Sequence, residues 1–207
     1  TLKLGGNARF MSSSDLQLSR GEPVSDTAKV ASSMLDVIAL RVDKHETLDM
    51  FAANSSVPVI NALSDLSHPC QILADLMTFK ENSVSELEKV CWIGDGNNVC
   101  NSYIEASKIL DFELSIYCPK EYSPDPSFLN YAKQNSSFAN SREEAAKGAD
   151  IITTDVWVSM GDEKTKERAF EGYFVDTDLI ENTGKKSIFL HCLPAHRGQE
   201  ITFELME

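Results

Sequence analysis

The sequence predicts an α/β fold of two domains, each a parallel sheet flanked by helices, with the active site in the inter-domain cleft. Three observations carry that expectation. Short apolar runs alternate with amphipathic stretches along nearly the whole chain, the pattern of strands that take helices on their faces. The alternation breaks at one polar stretch, Asn82–Leu87, which reads as a hinge between residues 1–82 and 83–207. The chemically capable residues fall in loops that follow strands, where open parallel sheets hold their ligands.

Taken in order, Ser25-Asp26-Thr27 supplies an N-cap for a helix running to about Leu35. Asp36–Val42 reads as a buried strand, Lys44–Ala53 as a helix and Val57–Asn61 as the next strand. His68–Glu81 reads as a longer helix with Ile72, Leu73, Leu76 and Phe79 on an apolar face. After the hinge come a strand at Val90–Ile93, a helix at Asn98–Leu110 and a strand at Leu114–Cys118. Pro124–Gln134 contains a helix and Arg142–Lys147 a short one. A strand at Asp150–Val156, a helix at Lys164–Phe170 and a final strand at Ser187–Cys192 complete the pattern. There are no repeats, low-complexity tracts or heptads.

Composition narrows the function classes. Of 207 residues, 42% are hydrophobic and 25% charged, an ordinary globular balance. No window approaches the ~18 uninterrupted apolar residues of a membrane span. The start, Thr1-Leu2-Lys3-Leu4-Gly5-Gly6, has neither a basic region nor an apolar core, so no secretory signal is expected. Five cysteines at irregular spacings (Cys70, Cys91, Cys100, Cys118, Cys192) read as reduced thiols of a cytoplasmic protein. Lys plus Arg total 19 against 32 Asp plus Glu, a net charge of −13, which argues against nucleic-acid binding. Arginines number only six, so a phosphorylated substrate would need its cations concentrated locally.

Four loops carry chemistry. In Ser67-His68-Pro69-Cys70-Gln71, proline suits the first turn of a helix, so His68 and Gln71 share one side of its N-terminus. That suits an anionic or carbonyl-bearing ligand; helix capping with a solvated imidazole is the alternative. Gly94-Asp95-Gly96-Asn97-Asn98 follows a strand and opens a helix, but Val99 occupies the third position of a dinucleotide fingerprint. It is either a tight turn or a site for a small carboxylate, and a dehydrogenase is disfavoured. Asp155, four residues before Ser159 in a loop ending at Gly161, either binds an ammonium group or caps the next helix. In His191-Cys192-Leu193-Pro194, strand alternation sends the first two side chains to opposite faces, which disfavours a thiolate–imidazole dyad. No paired cysteine spacing supports zinc, so no metal is expected.

Together and in this order, His68-Pro69-Cys70-Gln71-Ile72-Leu73-Ala74-Asp75, Asp155-Val156-Trp157-Val158-Ser159-Met160-Gly161 and His191-Cys192-Leu193-Pro194 closely resemble the ornithine carbamoyltransferases. The likeness covers nearly the whole chain, including Asp26-Thr27-Ala28-Lys29-Val30. The Ser159-Met160-Gly161 loop favours ornithine over aspartate as the acceptor. The resemblance implies transfer of the carbamoyl group of carbamoyl phosphate to the δ-amine of L-ornithine, giving L-citrulline and phosphate without a cofactor. It implies that Arg41 and His68 donate to the carbonyl oxygen. Gln71 and the Leu193 carbonyl accept from the carbamoyl NH₂, Asn98 holds the ornithine α-carboxylate and Asp155 its α-ammonium. Ser159 and the Met160 backbone complete the grip, and Cys192 places the δ-amine. It further implies a homotrimer or higher assembly.

The chain departs from the family pattern in lacking a Ser-x-Arg-Thr-Arg phosphate loop. The stretch is therefore expected to be incomplete at both ends and inactive alone, with the loop expected upstream of Thr1. A carbamoyltransferase for acetylornithine or putrescine, or a non-catalytic fragment of the same fold, is the alternative.

Overall fold

A computed structural model describes residues 2–12, 15–16, 21–83, 85–158 and 164–206. The chain forms two compact units, Thr1–Ser64 and Asp65–Glu207. In the first, α1 (Val24–Ser32), β1 (Ile38–Arg41), α2 (His45–Asn54) and β2 (Val59–Leu63) follow one another. The two strands pair in parallel, from Ile38 beside Val59 to Arg41 beside Leu63, and Ala28, Ile38 and Phe51 form the buried core. The predicted cap is displaced: α1 begins after Pro23, which makes no side-chain cap bond, and Asp26 lies inside the first turn. There its carboxylate complements the positive end of the helix dipole.

The second unit contains α3 (Pro69–Asn82), β3 (Lys89–Ile93), α4 (Asn98–Leu110), β4 (Glu113–Tyr117), α5 (Pro126–Tyr131) and β5 (Ser136–Phe138). It continues through α6 (Arg142–Ala146), β6 (Ile151–Thr154), α7 (Thr177–Glu181) and β7 (Ile188–His191). The strands form one parallel sheet in the order β5-β4-β3-β6-β7. The chain therefore leaves β3 toward one edge and later returns to build the other, so the sheet's direction of growth reverses between β3 and β6. In open α/β sheets that reversal opens a crevice beyond the strands' carboxyl ends.

Alternation along the central strand explains why the sheet is covered on both faces. Val90 and Trp92 join Ile72, Phe79, Tyr103 and Ile104 in one core. Cys91 and Ile93 join Ala145, Ala146, Ile152 and Leu179 in the other. At the opposite end of the strands, Asp150 Oδ2 accepts the Glu88 and Lys89 amides, both at 2.9 Å, and Lys185 reaches Asp150 at 3.1 Å and Glu88 at 2.6 Å.

Some local expectations change. Lys164–Phe170 is a 3₁₀ helix, and α5 spans only six residues behind an Asp125 cap. Leu73 faces solvent, 67% exposed, while Ile72 and Phe79 are buried. Strand β5 and helix α7 were not expected. Among the described residues, no helix is long and apolar enough to cross a membrane.

Candidate active site

The turn from β3 into α4 is set by close packing. A Cβ on Gly96 would lie 2.3 Å from Pro124 N and 2.5 Å from Tyr122 O, and the Gly96 amide donates to Tyr122 O at 2.9 Å. The glycine thus answers a backbone approach from a neighbouring loop, and Val99 is buried in the core. Lys166 pins the same turn through Asp95 at 2.6 Å, both side chains being largely buried.

Asn97 closes the turn as the N-cap of α4. Its Oδ1 accepts from the Val99 and Cys100 amides at 3.0 and 3.2 Å, while its Nδ2 donates to Asp155 Oδ2 at 2.6 Å. The sequence reading gave weight to Asn98 and missed Asn97, although an Asn between a strand-ending turn and a helix is a strong cap signal. Asn98 is the first residue of α4 and half-buried.

Asp155 follows β6, is 9% exposed, and accepts the Val156 amide on Oδ1 at 2.8 Å. An Asp155 oxygen, a His191 nitrogen and the Cys192 sulfur lie within 4.8 Å of one another. The expectation that strand alternation separates the last two is corrected: β7 ends at His191, so Cys192 lies past the regular pleat. An imidazole–thiol dyad still does not form. His191 Nδ1 faces the Cys192 carbonyl at 2.5 Å and Nε2 faces the buried Glu200 carboxylate at 3.2 Å. Burial and then the neighbouring Asp155 charge push the Cys192 thiol far up. It is a neutral S–H at neutral pH, unsuited to act as a thiolate nucleophile.

The start of α3 is tied to the start of α4. His68 occupies the N-cap position with Pro69 at N1; its amide donates to Ser102 Oγ at 2.7 Å, and Ser102 donates to Asn98 O at 2.9 Å. One turn on, Gln71 Nε2 donates to Asp75 Oδ1 at 2.9 Å, and the buried Tyr103 hydroxyl donates to Asp75 Oδ2 at 2.7 Å. Burial pushes the Asp75 carboxyl up, against these two bonds. The charges of both Asp155 and Asp75 raise the Cys192 thiol, so the second turn of α3, where Asp75 sits, and the ends of β6 and β7 face one small region. Leu193 is 75% exposed and precedes a cis peptide to Pro194. Arg41 ends β1 in the first unit and is exposed. Ser159, Met160 and Gly161 lie outside the described residues.

Two family profiles match the chain. Residues 1–81 match the carbamoyl-P binding domain of aspartate/ornithine carbamoyltransferase, and residues 87–207 match its Asp/Orn binding domain. The chain belongs to the aspartate/ornithine carbamoyltransferase family. Among its carbamoyltransferase relatives, the ornithine carbamoyltransferase of Halorhodospira halophila is 48% identical, with 99% of this chain and 70% of the relative covered. That of Campylobacter jejuni strain RM1221 is 49% identical, with 99% and 71% covered. Among solved structures, the anabolic ornithine carbamoyltransferase of Campylobacter jejuni superposes with a TM-score of 0.92 at 45% identity, covering 99% of this chain and 72% of that one. The Pyrococcus furiosus enzyme gives 0.91 at 40% identity, covering 100% and 69%.

Proposed function

We propose that this chain carries the chemistry of an ornithine carbamoyltransferase. The carbamoyl group of carbamoyl phosphate passes to the δ-amine of L-ornithine, and L-citrulline and phosphate leave. Support comes from the two matched domains and from relatives bearing that name along nearly the whole chain. The observation that carries the reading is the gathering of the α3 start, the Asn97-capped turn, Asp155 and Cys192 at one end of the five-stranded sheet.

In the proposed reaction the neutral δ-nitrogen attacks the carbamoyl carbon. A C–N bond forms, the C–O bond to phosphate breaks, and the proton shed by the amine ends on phosphate. Carbamoyl phosphate is already activated, so the protein's task is orientation and stabilisation of charge on the carbonyl oxygen. We assign donation to that oxygen to His68 and Arg41. Gln71 and the Leu193 carbonyl accept from the carbamoyl NH₂, oxygen acceptors being what an NH₂ requires. Asp155 takes the α-ammonium of ornithine, supported by its burial and its orientation by Asn97. Asn98, Ser159 and the Met160 backbone complete the amino-acid end, and Cys192, a neutral thiol, sits by the δ-amine.

The assembly we propose is a homotrimer or larger, supported by apolar side chains exposed on the first unit, among them Met34, Val37, Met50 and Ile60. Free thiols at all five cysteines support a reducing, cytoplasmic location. The deciding test is product formation. Assayed with the complete gene product, citrulline should appear with ornithine, and acetylornithine or putrescine should react at under about a hundredth of that rate. Preference for either alternative amine overturns the acceptor assignment.

A further inference from the structure

The two ends of a carbamoyl group, NH₂ and oxygen, are nearly the same size. Only the polarity of the hydrogen bonds around them tells a protein which end is which. A glutamine carboxamide has the same ambiguity, so Gln71 can sort the carbamoyl ends only if its own rotation is fixed. The fold contains the group that fixes it.

Gln71 Nε2 donates to Asp75 Oδ1 at 2.9 Å. Asp75 is 7% exposed, and its other oxygen accepts the hydroxyl of Tyr103 at 2.7 Å. Tyr103 is fully buried and the Asp75 carboxylate beside it offers only acceptors, so the tyrosine proton points at Asp75. Both Asp75 oxygens are therefore acceptors in use. Rotating the Gln71 amide by half a turn would set its oxygen against Asp75 Oδ1. With the NH₂ committed, Gln71 Oε1 is the free end, and among the described residues no donor meets it.

We propose that Asp75 is a positioning residue that locks the Gln71 carboxamide with its oxygen toward the carbamoyl NH₂, and that Tyr103 in turn holds Asp75. The inference rests on Gln71 being the acceptor for that NH₂, as proposed above. Asp75 touches neither substrate; it acts by removing one of two amide rotations.

A double-mutant cycle in the complete gene product tests it. In Asp75→Asn, the Tyr103 hydroxyl still needs an acceptor, so the new amide turns its oxygen there and its NH₂ toward Gln71. Gln71 must then rotate and confront the carbamoyl NH₂ with a second donor. We expect kcat/KM for carbamoyl phosphate to fall at least about tenfold while the ornithine KM changes less than about twofold. Adding Gln71→Glu supplies an oxygen on both sides, and exchanging carboxylate and carboxamide between the two positions keeps the original net charge. The double variant should recover about tenfold over Asp75→Asn, whereas Gln71→Glu alone sets carboxylate beside carboxylate and should be worse than the double variant.

A double variant no better than both single variants, or an Asp75→Asn enzyme with wild-type kcat/KM, overturns the proposal. The ordering of Gln71→Glu against the double variant decides the question even if Asp75→Asn alone is too unstable to purify. Wild-type enzyme is the control for the underlying reading. If it forms no citrulline, the carbamoyl-transfer assignment fails; if it does and the cycle shows no coupling, only the role of Asp75 fails.

Discussion

Asn97 Nδ2 lies 2.6 Å from Asp155 Oδ2, while the other end of the same amide caps α4. One side chain thus joins the stability of a helix to the aim of a carboxylate. The cap also fixes which end of the amide meets Asp155, because helix amides accept nothing and bind only the oxygen.

Two substitutions at Asn97 should separate these duties. Asn97→Ala loses both, lowering stability by about 1 kcal/mol and raising the ornithine KM by roughly tenfold. Asn97→Ser keeps a capping oxygen but cannot reach Asp155, so denaturant melts should stay near wild type while the KM still rises. Equal stability losses in both variants would show that capping is not what Asn97 contributes.

The thiols predict alkaline weakness. Burial pushes Cys91, Cys100, Cys118 and Cys192 above their ordinary 9.0, Cys118 to about 12. Below pH 9 both folded and unfolded chains keep these protons, and no pH dependence arises from them. Above it the unfolded chain sheds protons that the folded chain retains. Stability should then fall by up to about 1.4 kcal/mol per pH unit for each such thiol. Urea midpoints taken between pH 8 and 11 measure this, and a Cys118→Ala variant should decline less steeply.

Cys192 gives a local version of the same test. Iodoacetamide reacts with thiolates, so at pH 8 its modification of Cys192 should be far slower than that of an unstructured cysteine peptide. Asp155→Asn removes a charge that holds the proton on and should speed the reaction. Rapid modification of Cys192 itself in the unaltered chain at pH 7, read by peptide mapping, would contradict a neutral thiol.

The Lys166–Asp95 pair is buried enough that losing one partner strands the other. Lys166→Met should cost about 3–5 kcal/mol, and adding Asp95→Asn should restore much of it. Chemical denaturation of the three variants gives the coupling directly.

Gly96→Ala adds a methyl group into backbone atoms of Tyr122 and Pro124. Neither can step aside as a flexible side chain would, so the β3–α4 turn must move. A stability loss of at least about 2 kcal/mol and a raised ornithine KM are expected together. A neutral substitution would mean that the turn is set elsewhere.

How much of this could be read beforehand depended on where the signal lies in the chain. The apolar runs of β3, β4 and β6 are visible because each strand is buried on both faces. Strand β5, Ser136–Phe138, has no such mark: it is an edge strand whose last two residues are exposed. Helix α7 has five residues, too few to display a periodicity. Leu73 was placed on the apolar face by its neighbours, yet α3 buries only a narrow stripe. At the site, the loops after β6 and β7 were legible from residue type, but the partnerships were not. Asp75 reaches Tyr103 and Asn97 reaches Asp155 only because α3 packs beside α4 and β6 beside β3; nothing local in the sequence announces either. The alternation rule misled at Cys192 because the strand stops one residue earlier.

The clamp of Lys185, Asp150 and Glu88 closes the amino-terminal rim of the sheet with contacts that satisfy one another. The opposite rim is thereby relieved of holding the strands in register, and its carboxylates and amides can orient one another toward small molecules. Variation at the clamped rim should thus be felt as melting temperature alone, and variation at the open rim also as a change in what the protein turns over.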